Sequence, residues 1–198
     1  MLVIDDKGKV INPKIKDAIS PMIEHGAMSA VKGIIVHQTD SFTAASALAK
    51  YKQPKADGAH FLIDKDGTIY QTASVFKKTA HVGKLRSRCY AEMRCSPAEM
   101  KANAKWNPTA EYHRELKKSA PDRYPSNDDS IGIEIVGKAL LPENGKKLIY
   151  ENLTAEQQAS FQWLIDEIRA TLKVPLTEIF RHSAVSFKNE TEAQSAKW

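Results

Sequence analysis

The chain has 198 residues, 42% of them hydrophobic and 27% charged, with a formal net charge of +5 and a sequence pI near 9.1. That length is enough for one sizeable core, the composition excludes a disordered chain, and no uncharged apolar run approaches the ~20 residues that span a bilayer. The basic residues are spread along the chain, which favours an acidic partner such as a cell-wall polymer; no nucleic-acid-binding signature accompanies them.

The N-terminal stretch MLVIDDKGKVINPKI carries acids where a secretion signal needs basic residues, so no signal peptide is expected. Next comes GIIVHQTD, residues 33 to 40, whose β-branched run reads as a buried strand with His37 at its carboxyl end. Thr43 is placed to cap a helix running to about Tyr51, and Pro54 stops it. His60 to Asp64 and Thr68 to Gln71 flank Asp66-Gly67, a turn signal that predicts a pair of antiparallel strands. From about 86 to 129 the periodicity fails and prolines recur at 97, 108, 121 and 125, which reads as an insertion with one or two short helices. This segment holds both cysteines, Cys89 and Cys95. A local disulfide and two free thiols are both compatible with the spacing.

Strict alternation returns in SIGIEIVG, 130 to 137, with Ile131, Ile133 and Ile135 on one face and Glu134 on the other. Thr154 and Gln157 form a capping box ahead of Phe161, Leu164, Ile165, Ile168 and Leu172 at helical spacing. A last short strand, Glu178 to Arg181, ends at His182. The expected architecture is mixed α/β, a central sheet flanked by helices.

Two histidines at strand ends suggest a metal, because strand termini present side chains to a ligand from a rigid base. A hydrolytic zinc site takes about three protein ligands and one open position. Glu192, Glu190 and Glu134 are the candidates for the third ligand. No compact motif such as HExxH is present, and 145 positions separate His37 from His182.

The blocks GIIVHQTD, GAHFLIDKDGTIYQ (58 to 71), TAHVG (79 to 83), SIGIEIVG and RHSAVSFKNETEA (181 to 193) occur in one order. In that order they resemble zinc-dependent N-acetylmuramoyl-L-alanine amidases, the superfamily shared with peptidoglycan recognition proteins and phage lysozyme-type amidases. The resemblance covers roughly residues 31 to 193 and implies a single amidase domain over 1 to 198, with an N-terminal extension over 1 to 30 and the insertion at about 86 to 129. It also implies Zn2+ as cofactor, with His37 and His182 as the first two ligands and Glu192 at the third position, where the family usually has Asp or Cys; Glu190 is the substitute. Glu134 matches the family's general base.

The family's lysine two positions before the third ligand is replaced by Glu190, so Lys188 is the candidate for stabilising the oxyanion. His81 is implied to line the substrate site; His60 is either a second substrate-side residue or simply packed. The DKDG segment lacks the later ligands of a calcium loop and reads as the hairpin turn. His25 and His113 carry no motif and are expected at the surface.

The implied reaction is hydrolysis of the amide between N-acetylmuramic acid and L-alanine in peptidoglycan or muropeptides. The alternatives are a recognition module that binds peptidoglycan without cutting it and a cytoplasmic muropeptide-recycling amidase. An amidase without a signal peptide is expected to reach the periplasm or cell wall through a secretion system or lysis. Delivery as an effector implies a cognate inhibitor (immunity) protein as a further partner.

Overall fold

The computed structural model describes residues 1–143 and 145–198. Its central sheet has strands β1 (Ile15–Asp17), β2 (Gly33–Gln38), β3 (Phe61–Ile63), β4 (Ile69–Gln71), β5 (Ser130–Ile135) and β6 (Ile179–Arg181). They lie in the order β6-β2-β5-β3-β4-β1. Every neighbouring pair is parallel except β3 and β4. Those two are joined by the Asp66-Gly67 turn, where Gly67 takes a φ of +82°, a conformation open to glycine at no steric cost.

Parallel neighbours need long crossovers. Helix α1 (Ala44–Tyr51) returns the chain from β2 toward β3, and α5 (Ala155–Leu172) carries it from β5 to β6. Both begin as their sequences predict. Thr43 Oγ1 accepts from the Ser46 amide, and Thr154 and Gln157 satisfy each other's orphan amides in a capping box. Among the described residues no helix is long and apolar enough to cross a membrane.

The insertion holds more helix than the sequence predicts: α2 (Arg88–Ala91), α3 (Pro97–Asn103) and α4 (Pro108–Glu115). Prolines 97 and 108 start helices rather than interrupting them. Each occupies the first turn, where its missing N–H costs nothing, behind a capping Ser96 or Asn107. Cys89 and Cys95 are joined by a disulfide that ties α2 to the turn before α3. Arg88 makes two hydrogen bonds, 2.8 and 2.9 Å, to the Glu178 carboxylate, fastening the insertion to the segment just before β6.

The sheet has two unlike faces. Ile34, Val36, Phe61, Ile63, Ile131, Ile133 and Ile135 point to α5 and pack on Phe161, Leu164, Ile165 and Ile168 in the main core. Residues before β2 join that core through Leu2, Val10, Ile15 and Met28. On the other face, Leu62 packs under α1 with Ala44, Ala47 and Tyr51, whereas Ile35 packs with Val82, Leu85, Tyr124 and Val185 beneath the insertion. Between these two apolar clusters lie the polar side chains of the candidate site.

Candidate metal centre and catalytic cleft

His37 is the penultimate residue of β2, and parallel register sets it directly beside Glu134 of β5. Alternation turns both away from α5, so a strand that is aliphatic on one side carries a carboxylate on the other. His182 opens α6 (His182–Val185) immediately after β6, the neighbour of β2 on its other side. The rings of His37 and His182 are 4.3 Å apart between centroids. Glu192 completes the group: its Oε1 lies 2.9 Å from His182 Nδ1 and 3.6 Å from His37 Nδ1. All three are buried, and their candidate ligand atoms lie within 4.8 Å of one another.

The hydrogen bonds behind the imidazoles settle which nitrogens face the group. Ser130 Oγ donates to the Ser126 carbonyl, so toward His81 it can only accept, and it takes the His81 Nε2–H at 3.2 Å. His81 Nδ1 is then an acceptor and receives the His37 Nε2–H at 2.9 Å. His182 Nε2–H donates to the Val82 carbonyl at 2.9 Å. Both rings therefore turn Nδ1 toward Glu192. Two ring nitrogens and a carboxylate oxygen converge at 2.9 to 3.6 Å, a spacing at which such groups share a proton or a cation. The donor set, two imidazoles and one carboxylate, is one that zinc accepts. Orientation of each ring by a group on its far nitrogen is characteristic of metal-ligating histidines.

Electrostatics agree with a neutral His37. Burial, followed by the neighbouring His182, pulls His37 down to about 4, so the ring is neutral at pH 7. Burial alone would raise Glu192, but the two imidazoles outweigh it and hold the carboxyl down to about 2. Glu134 goes the other way, up to about 8, through burial first and then the charge of Glu192. Its Oε2 is sealed from solvent with no hydrogen-bond partner. An unpaired buried carboxylate oxygen is costly, and sites that move protons are where such groups occur.

Glu134 and the three-residue group line one cavity of about 400 Å³, together with His81, Tyr150 and Lys188. The N-acetylmuramoyl-L-alanine amidase family model matches residues 27–195. The chain belongs to that family. Solved structures of amidase-family fold resemble it at low identity. A selenomethionine AmpD derivative is 16% identical, covers 100% of this chain and 96% of its own, and gives a TM-score of 0.61. The catalytic domain of XlyA is 23% identical over 90% of this chain and 88% of its own, TM-score 0.54. A mutant endolysin from Bacillus subtilis is 21% identical over 86% and 84%, TM-score 0.52. At these identities the likeness speaks for the fold. No curated protein sequence matches the chain.

Against the amidase pattern, the residues singled out from the sequence divide. His37, His182, Glu192, Glu134, Lys188 and His81 meet at the cavity; Glu190 is exposed and does not line it. His60 is fully buried and does not line it either. Its Nδ1 accepts from the Gly132 amide at 3.0 Å and its Nε2–H donates to the Lys77 carbonyl at 2.8 Å, so neither nitrogen is free for a substrate. His25 and His113 are exposed.

Ser130, the Val82 carbonyl, Asn127 and Tyr150 were not foreseen. Asn127 Oδ1 accepts from the amides of His81 and Val82, at 3.0 and 2.8 Å, and so holds the loop that orients both candidate ligands. Ser130 had a legible signal, since it opens the alternating strand on the face of Glu134. A backbone carbonyl carries none.

Proposed function

We propose that the chain is a zinc-dependent N-acetylmuramoyl-L-alanine amidase that hydrolyses the amide between the lactyl group of N-acetylmuramic acid and L-alanine. The observation that carries this reading is the convergence of His37 Nδ1 and His182 Nδ1 on Glu192 Oε1, beside a carboxyl whose buried Oε2 has no partner. His37, His182 and Glu192 would hold the ion. When bound, zinc supplies Lewis acidity, polarising the scissile carbonyl and making a nearby water more acidic.

The chain's own groups do the rest. Glu134 takes the proton of the attacking water and returns it to the alanine nitrogen as the C–N bond breaks, leaving a lactyl carboxylate and a free amine. Its raised pKa suits that shuttle, because a base near neutrality both accepts and releases the proton. Lys188 lines the cavity where the family's lysine is missing, and its ammonium is placed to stabilise the oxyanion. Tyr150 lines it too, its phenol pushed up by burial and by the nearby carboxylates, so it stays a donor. His81 acts on His37, and no substrate role is assigned to His60.

The Cys89–Cys95 bond supports work in an oxidising compartment, and we take the site of action to be the periplasm or cell wall. Delivery there by a secretion system would call for a cognate inhibitor protein in the producing cell. The test pairs metal analysis of protein purified without added zinc with mass spectrometry of muropeptides after incubation with sacculi. The expected result is one zinc per chain and free stem peptides. Intact sugar-to-stem linkages in zinc-replete protein would replace this reading with that of a peptidoglycan-binding module.

A further inference from the structure

Trp106, in the turn between α3 and α4, is 80% exposed. An indole left in water contributes little to folding, yet this one stands beside a second aromatic ring. Its ring meets Phe187 edge-on, 5.1 Å between centroids at 80°. The Arg86 guanidinium lies 5.6 Å from the Phe187 ring and donates to the Ser183 carbonyl at 3.2 Å. Lys84 Nζ donates to Thr109 Oγ1 at 2.8 Å, tying the first turn of α4 to the same loop. The shelf so formed adjoins the cavity along the chain: Phe187 precedes Lys188, which lines it, and so does Gly83, on the loop that pairs with this segment through Leu85 and Ser186.

We infer that Trp106 and Phe187 form a saccharide subsite beside the cavity, which binds a pyranose ring of the glycan strand next to the muramic acid whose stem is cut. The inference rests on the proposed amidase reading for its substrate. A pyranose presents one face of C–H groups, apolar and slightly positive, which complements the negative face of an indole, and carries its hydroxyl and acetamido groups at the rim of the ring. A stem-peptide carboxylate is the weaker occupant, because Arg86 already serves a carbonyl and a ring.

The test compares a glycan-chain substrate with a single-sugar N-acetylmuramoyl-peptide. In Trp106→Ala the ratio of kcat/KM on the chain to that on the single-sugar substrate is expected to fall about tenfold, mostly through KM, the size of one lost stacking contact. Trp106→Phe should recover part of it, and the exposed position predicts an unchanged Tm. Binding is read separately in Glu134→Gln by the Trp106 indole N–H resonance on adding an N-acetylglucosamine tetramer. A shift that Phe187→Ala abolishes supports the subsite and needs no cleavage, so it survives failure of the amidase reading. An unmoved resonance, or equal losses on both substrates, overturns it.

Discussion

The two faces of the central sheet are made by the same strands and do opposite things. On β5, Ile131, Ile133 and Ile135 face α5 in a dry core, while Gly132 and Glu134 face the cleft. Gly132 is required there, since a Cβ would stand 2.8 Å from His81 Nδ1 and push aside the ring that orients His37. The α5 face gathers stability from apolar burial. The cleft face consumes it, holding imidazoles neutral and a carboxyl without a partner. One face fixes the backbone firmly enough for the other to keep groups in states that water would not favour.

Substitutions should separate the faces cleanly. The largest expected effect is on the cleft side: Glu134→Gln should lower kcat by about 10²–10⁴-fold, the range for loss of a general base. Zinc content and Tm should stay at wild-type level, because the amide keeps the shape of a side chain whose buried Oε2 has no partner to lose. Steady-state kinetics on muropeptides with metal analysis provide the check, and near-wild-type turnover would move the base elsewhere. On the dry side, Phe161→Ala deletes a fully buried ring from the main core. Denaturant unfolding should show a loss of about 3–5 kcal/mol, while kcat per folded molecule is retained.

Most of the fold was legible because its signals are local. The capping box, the Asp66-Gly67 turn and the alternation in β5 each follow from a few neighbouring residues, and each lies where expected. The insertion was read less well, because proline breaks a helix interior but starts a helix at its first turn, and the residue alone does not say which. In the site, the groups proposed to carry chemistry stood out as a histidine or an acid at strand ends. Their supports did not, beyond the place of Ser130 on the Glu134 face of its strand. Ser130 and Asn127 owe their roles to a partner 45 to 49 positions away, and the Val82 carbonyl has no side chain to mark it. The opposite fates of His60 and His81, adjacent on one face, depend on which backbone groups they meet.

That contrast gives a pH test. Burial depresses His60 to about 4, against 6.5 when unfolded. A depressed folded pKa makes its contribution fully present above pH 6.5 and lost as pH falls toward 4, because the unfolded chain takes up the proton first. The span corresponds to about 3 kcal/mol. His60→Gln, which keeps a donor and an acceptor, should flatten the fall in unfolding free energy between pH 7 and pH 4 by roughly that amount. Phe161→Ala should shift the whole profile without changing its slope. An unaltered slope in His60→Gln would mean that the folded ring takes up its proton as readily as the unfolded one.

The smallest expected effect probes the chain of bonds that runs from the Ser126 carbonyl to the proposed zinc ligand His37. Removing the Ser130 hydroxyl takes away the acceptor for His81 Nε2–H. His81 would then favour the other tautomer, whose Nδ1–H points at the His37 Nε2–H. To avoid two hydrogens facing each other, His37 must move its proton to Nδ1, the atom turned toward Glu192. Ser130→Ala should therefore weaken zinc binding by about 10-fold, at the low end for loss of such a support, as read by competition with a chelator. Ser130→Thr, which restores a hydroxyl, should recover most of it. An equal loss in both variants would trace the effect to packing around β5. Wild-type affinity in Ser130→Ala would show that Glu192 and His182 position the ion without help from the relay, leaving His81 as a ring that merely fills the space above Gly132.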